Sequence, residues 1–429
     1  MPTATLITVL PVGEFDTPPI QSEFDSIIQL FKNLDAELLV AEPVSDEAAA
    51  RETVEAGLGR RPDLLLLVPL RGLSAQAMEA AALASHAPCI IWPIPGRFAL
   101  PSSTLAVGAL REAGRPVELL FAPPDHPAAV ESARTILDAA RALSRIRRGR
   151  IGVIGGLFPN LIAARYDPAT ISARLGVTLL PLTYADIRAG MAHSADRPEE
   201  TRQAHQALTT TYAVAPADEN ALATGLHLHL ALKRLAEEHR LDAFAAECWT
   251  GLPRELGLNP CLGFAEDAYV LACEGDVTLC ISLLMVQYLT GRRAYVGDLY
   301  DLDLDGVMTL FHCGAPASMA GDPRAVVLGR SQVALERGYE TITCRPQLTP
   351  GPVTVFRFYG RNCDQLHLAM GELLGSEPTP SLAVQLRLSG SRWDFIKLCA
   401  GNHYVVVPGD LRPELSLLAR WLGITIFET

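Results

Sequence analysis

Through the first third of the chain, short unbroken apolar runs alternate with stretches in which apolar and polar positions mix. The runs at 6–11, 36–40, 64–69, 89–93 and 117–122, bounded by Pro, Gly or Asp, predict strands. The stretches 23–34, 74–85 and 128–144 between them predict amphipathic or Ala-rich helices. Strands of continuous apolar character need cover on both faces, which implies a parallel sheet between layers of helices. A second unit of this kind starts at Arg150, with strands at 177–181 and 243–247 and a long helix over 218–239. From about 350 the rhythm changes. The segments 353–359, 382–388, 392–398 and 403–408 predict strands joined by turns, with little helix, before a short helix at 413–422 and a final strand. The fold class is therefore α/β: two doubly wound parallel-sheet domains, a Rossmann-like one over 1–148 and a central one over 149–345, then a smaller, mostly-β, barrel-like domain over 346–429.

Composition narrows the function. With 429 residues, 49% hydrophobic and 20% charged, the chain has the balance of a folded protein of two or three domains. Its net charge is −12, and the densest basic stretch, Arg145 to Arg150, is too short to track a phosphate backbone, so no nucleic-acid partner is expected. The longest apolar runs fall short of the roughly 20 residues a membrane span needs. The N-terminus lacks a basic leader, so a cytoplasmic location is expected. Nine scattered cysteines without a C-x-x-C pair speak against a disulfide framework or a thiolate zinc site. No G-x-G-x-x-G follows the first strand, so a dinucleotide site is not supported. The Gly155-Gly156 pair is read as a tight turn, not as a phosphate cradle.

Acidic and histidine residues concentrate between 247 and 312, within segments that otherwise read as buried strands. Glu247 closes the run Phe244-Ala245-Ala246, at the carboxyl end of a parallel strand, where α/β proteins place ligands. Glu266 and Asp267 follow, then Glu274 and Asp276. Burying a carboxylate without a partner costs several kcal/mol, so a cluster of them points to a cation. His312 and His403 lie at strand ends and add nitrogen donors. The series Asp301, Asp303, Asp305, Gly306 opens like a calcium loop, but its twelfth position is His312 where Glu is required, so calcium is rejected. His227 and His229 on the long helix point to different faces and cannot share one metal.

Taken in order, Ala246-Glu247-Cys248-Trp249, Phe264-Ala265-Glu266-Asp267, Ala272-Cys273-Glu274-Gly275-Asp276-Val277, His312-Cys313-Gly314 and Asn402-His403 resemble the L-fucose isomerase and L-arabinose isomerase superfamily. The resemblance covers roughly 240–429 by motif and the N-terminal part by architecture. It implies a metal-dependent aldose–ketose sugar isomerase with Glu247 and Glu266 as acid/base pair and ligands of a divalent metal, usually Mn²⁺. His403 is implied as the C-terminal histidine ligand and His312 as the further one of the arabinose branch, with Asp267 competing with Glu266. It also implies a homo-oligomer, a hexamer or smaller, with active sites between subunits. Trp249, Trp393 and Asn402 are candidates to contact the sugar, and Asp267, Glu274 and Asp276 to orient the ligands. The substrate is expected to be a hexose, deoxyhexose or pentose. The alternative is an anionic sugar such as sulfoquinovose, which would require a basic group drawn from Arg188, His193, Arg357 and Arg361. A metal-dependent lyase and a non-catalytic sugar-binding protein are the readings from other classes.

Overall fold

The computed structural model describes residues 4–57, 60–215, 218–266, 268–339, 341–378 and 381–429. Two compact units divide the chain: the residues up to Ser144 with Pro413–Trp421, and Arg145–Arg412 with Leu422–Thr429.

In the first unit, β1 (Leu6–Val12), β2 (Glu37–Val40), β3 (Leu64–Pro69), β4 (Cys89–Ile91) and β5 (Val117–Leu119) form a parallel sheet in the order β2-β1-β3-β4-β5. Every residue of β1 and β3 is buried, as strands covered on both faces must be. The helix Pro18–Asn33 turns Ile20, Phe24, Ile27, Ile28 and Phe31 inward as one apolar stripe. Its first turn takes proline because no amide donor is needed there.

The second unit starts with β6 (Arg150–Ile154), β7 (Thr178–Leu182), the short β8 (Ala213–Val214), β9 (Ala243–Ala246) and β10 (Val270–Ala272). Of these, β10-β9-β6-β7 make a second parallel sheet. β11 (Tyr295–Leu302) and β12 (Val307–His312) form a hairpin, and β13 (Val326–Arg330) pairs antiparallel with β14 (Ile342–Pro346) and parallel with β8. β15 (Gly351–Tyr359), β16 (Gln365–Pro378), β17 (Leu382–Leu388), β18 (His403–Pro408) and β19 (Thr425–Glu428) complete the chain. Antiparallel pairing runs β15-β18-β11-β12-β17-β16 and back to β15, which closes a six-stranded barrel; β19 adds to β16 in parallel. β17 shows why it closes: Leu382, Val384, Leu386 and Leu388 are buried while Gln385 and Arg387 are exposed, a two-residue period with one face to the core.

The α/β class with a β-barrel at the C-terminal end is as the sequence predicts. Two segments depart from what their sequences suggest. The barrel draws on 295–312 as well as the strands after 350, because the β11–β12 hairpin bridges β18 and β17. The segment expected as a strand over 392–398 is instead the helix Arg392–Lys397, started by Ser391, whose hydroxyl accepts from the Asp394 amide. The calcium-like acidic run is the hairpin turn itself, where the Asp303 carboxylate accepts from the Asp305 and Val307 amides. Among the described residues no helix is long and apolar enough to cross a membrane.

Candidate active site

The loops leaving the carboxyl ends of β6, β9 and β10 lock together through backbone contacts. The Glu247 amide donates to the Ile154 carbonyl at 2.9 Å, the Gly275 amide to Ala246 at 3.0 Å and the Phe158 amide to Glu274 at 2.9 Å. There is no room for side chains at two points: a Cβ on Gly275 would overlap the Gly156 carbonyl oxygen, and one on Gly155 the Tyr184 hydroxyl. Glycine is thus required by packing at Gly155 and Gly275, and at Gly156 by a φ of 81°. Between these loops Glu274 sits at a φ of 58°, a left-handed conformation that costs an L-residue energy and concentrates at functional sites.

The barrel presents the opposing groups. Asp298 on β11 and His403 on β18 are paired across the ladder, and Asp298 also faces Phe311, next to His312 on β12. His312 and His403 are buried, with ring centres 6.4 Å apart. Asp276 joins barrel to sheet. It caps the buried helix Val277–Thr290 by accepting from the Leu279 amide, and its other oxygen takes Nη2 of Arg357 at 2.6 Å and Nδ1 of His403 at 3.1 Å. All three side chains of this Arg–Asp–His group are fully buried. A carboxylate only accepts, so Nδ1 of His403 carries the proton and directs Nε2 toward Asp298, 3.6 Å away. That Nε2 is buried and makes no hydrogen bond, and Nδ1 of His312 is in the same condition.

The electrostatics follow from this layout. Burial, reinforced by the charges of Asp298, Asp276 and Glu247 and opposed by His403, pushes the Glu274 carboxyl up to about 7. Burial opposes ionisation of Asp276, but Arg357 and the His403 hydrogen bond hold it well below the usual carboxylate range. Burial alone would depress His403; the hydrogen bond and charge of Asp276, with Asp298, raise it instead. Burial lowers His312 to about 4, which leaves it neutral near pH 7. Among the described residues no three His, Cys, Asp or Glu side chains are already closed around a point as metal ligands are. The donor chemistry nonetheless suits a hard divalent cation: carboxylates beside a buried imidazole nitrogen that lacks a partner, without thiolate.

Of the other residues singled out in the sequence, some border this group and some fall elsewhere. Glu247 ends β9 as expected, but its carboxylate caps the short helix Gly251–Leu256, accepting from the amides of Trp249, Thr250 and Gly251 and from the Thr250 hydroxyl. Glu266 is engaged by His229 Nε2 and Lys233 Nζ, each at 3.2 Å, with Tyr269 behind His229 at 3.0 Å. The hydrogen bond and charge of His229, aided by Lys233 against burial, hold Glu266 down at about 2. Asp267 lies outside the described residues. Asn402 donates to Asp298 and so touches the site. Trp393 projects into solvent with Arg392 over its ring at 4.4 Å. Trp249 lies under Arg337 and edge-on to Phe158.

Asp298 escaped the sequence analysis, although it ends the apolar run Tyr295-Val296-Gly297 much as Glu247 ends its own. Arg357 was noted there as an anion ligand, yet it is committed to Asp276. Two pairs of hydrogen-bonded thiols, Cys248 with Cys273 and Cys261 with Cys313, lie beside the site, and all nine cysteines are free.

No family model matches the chain. It is similar to a sulfoquinovose isomerase from Alkalicoccus urumqiensis, 24% identical over an alignment of 398 residues, with 86% of each chain covered. It is also similar to a sulfoquinovose isomerase from Clostridium sp. (strain MSTE9), 23% identical over 387 residues and 85% of each. Through these relatives the chain resembles the L-fucose and L-arabinose isomerase superfamily along most of its length, and it is an enzyme of the aldose–ketose isomerase type.

Proposed function

We propose that this enzyme interconverts sulfoquinovose, an aldose bearing a sulfonate, and the corresponding ketose. The observation that carries the reading is similarity over 86% of the chain to a protein named for that reaction. It favours the anionic sugar over the neutral hexose, deoxyhexose or pentose.

Aldose–ketose isomerisation moves one proton between C1 and C2 and another between the two oxygens. Glu274, backbone-fixed among the β6, β9 and β10 loops, takes the carbon-bound proton and returns it to the neighbouring carbon. Glu247, held by four donated hydrogen bonds, is the second carboxylate of the pair. Glu274 thereby takes the position that the sequence assigned to Glu266, whose oxygen is already paired with a histidine and a lysine. Asp298, Nε2 of His403 and Glu274 would hold a divalent cation, Mn²⁺ by the family resemblance, with His312 beside them. Such an ion supplies Lewis acidity at the sugar oxygens. Asp276 and Arg357 fix the tautomer and the orientation of His403.

The test is to incubate the purified protein with sulfoquinovose, L-fucose and L-arabinose in parallel, with Mn²⁺ present and after chelation, in deuterated water. Conversion of sulfoquinovose with deuterium gained at the product carbon is expected, lost on chelation and restored by Mn²⁺. Turnover of the neutral sugars alone would overturn the substrate, and product without deuterium would overturn the proton-transfer route.

A further inference from the structure

A sulfonate is a permanent anion, and its recognition calls for a cation that is not already neutralised. Arg357 is spent on Asp276 inside the protein, and Arg188 lies 3.6 Å from Glu255. Arg337 differs from both. It is the last residue of the helix Gln332–Arg337 and is exposed. Its guanidinium carbon lies 3.9 Å from the centre of the Trp249 ring, and Nη1 donates to the Trp249 carbonyl at 2.8 Å. Its partners are thus the face and the backbone of one tryptophan; no carboxylate among the described residues pairs with it.

Position links this cation to the site. Trp249 follows Glu247 by two residues, and its amide donates to the Glu247 carboxylate at 3.1 Å. On its other side the indole meets Phe158 edge-on at 6.2 Å, and the Phe158 amide holds the Glu274 carbonyl. Arg337 therefore stands over a residue that holds the Glu247 carboxylate and meets, through Phe158, the backbone of Glu274. A guanidinium stacked on an aromatic face keeps its remaining in-plane N–H groups free for a bidentate contact with an oxyanion. The stack also removes side-chain freedom before the ligand arrives, which lowers the cost of ordering on binding.

We propose that Arg337, positioned by Trp249, recognises the sulfonate of the substrate and so sets the preference for an anionic over a neutral sugar. The inference rests on the sulfoquinovose reading above.

The experiment compares wild type, Arg337→Met and Arg337→Lys for kcat and KM on sulfoquinovose and for inhibition by 2-hydroxyethanesulfonate, a sulfonate without a sugar. Met keeps the apolar stem over the indole and removes the charge; Lys keeps the charge and loses the fork. Loss of one charge-assisted contact is expected to raise KM and the inhibition constant roughly 10- to 100-fold in the Met variant. kcat should stay within about threefold, and Lys should fall between Met and wild type. If Met leaves KM within twofold, or lowers kcat at unchanged KM, the assignment of Arg337 is overturned while the substrate stands. If wild type does not convert sulfoquinovose, the substrate reading itself has failed. Should the Met variant not fold, the Lys variant decides: KM equal to wild type overturns the bidentate contact.

Discussion

Two acidic corners of the second unit, eight residues apart in sequence, have opposite electrostatic character. At Glu266 the charges are balanced: His229 and Lys233, one turn apart on the helix Glu219–His239, meet one carboxylate oxygen and hold its pKa down at about 2. At Glu274 the balance is missing. Burial, with Asp298, Asp276 and Glu247 nearby, pushes the carboxyl up to about 7 against the opposing His403, whose Nε2 is left buried without a hydrogen bond. A closed ion pair stabilises a fold, whereas an incomplete one keeps groups ready for a ligand, which is why strongly perturbed groups mark functional sites. The two corners differ in which charged groups the fold brings to them, basic at Glu266 and mostly acidic at Glu274.

Several substitutions test that contrast. The largest difference is expected in turnover. Glu274→Gln should lower kcat on the order of 10²–10⁴-fold, the usual worth of a positioned acid/base group. Glu266→Gln should stay within about threefold. Steady-state kinetics on the two variants reads this directly, and equal losses would erase the distinction.

Next in size is the buried triad. Asp276→Ala leaves the Arg357 guanidinium fully buried without its carboxylate. Removing one partner of such a pair costs about 3–5 kcal/mol, to be read from urea unfolding. A loss under about 1 kcal/mol would mean that Arg357 finds water or another acceptor.

The smallest effect concerns pH. The carboxyl of Glu266 lies at about 2 in the fold, against an ordinary value of 4.5 for a glutamate. The folded pKa is the depressed one, so the stabilisation is complete above about 4.5 and disappears as pH falls toward 2. After discounting for its partial exposure this amounts to about 1–2 kcal/mol. Glu266→Gln should therefore lower stability at neutral pH and flatten the acid limb of the stability curve. An unchanged acid limb would show that His229 and Lys233 contribute no net stabilisation.

The sequence by itself determined the fold class and most of the elements, though it misassigned the helix Arg392–Lys397 as a strand. Apolar runs such as Leu64–Pro69, bounded by Asp and Pro, read as strands covered on both sides, and the two-residue period of Leu382–Leu388 as a strand with one face in a β core. It also placed Glu247 at a strand's carboxyl end and singled out His403, because an acid or imidazole inside an apolar run is visible without a partner in view. Tertiary structure decided which of those groups meet. His403 lies 105 residues beyond Asp298 in numbering, and only closure of the barrel pairs β18 with β11 and sets the two side by side. The sequence assigns the acid/base role to Glu266 and a supporting one to Glu274; the packing of the helix bearing His229 and Lys233 is what leaves Glu266 already paired. Local spacing fixes periodicity and caps within a few residues, whereas charge pairing depends on distances of a few ångströms between segments far apart in the chain.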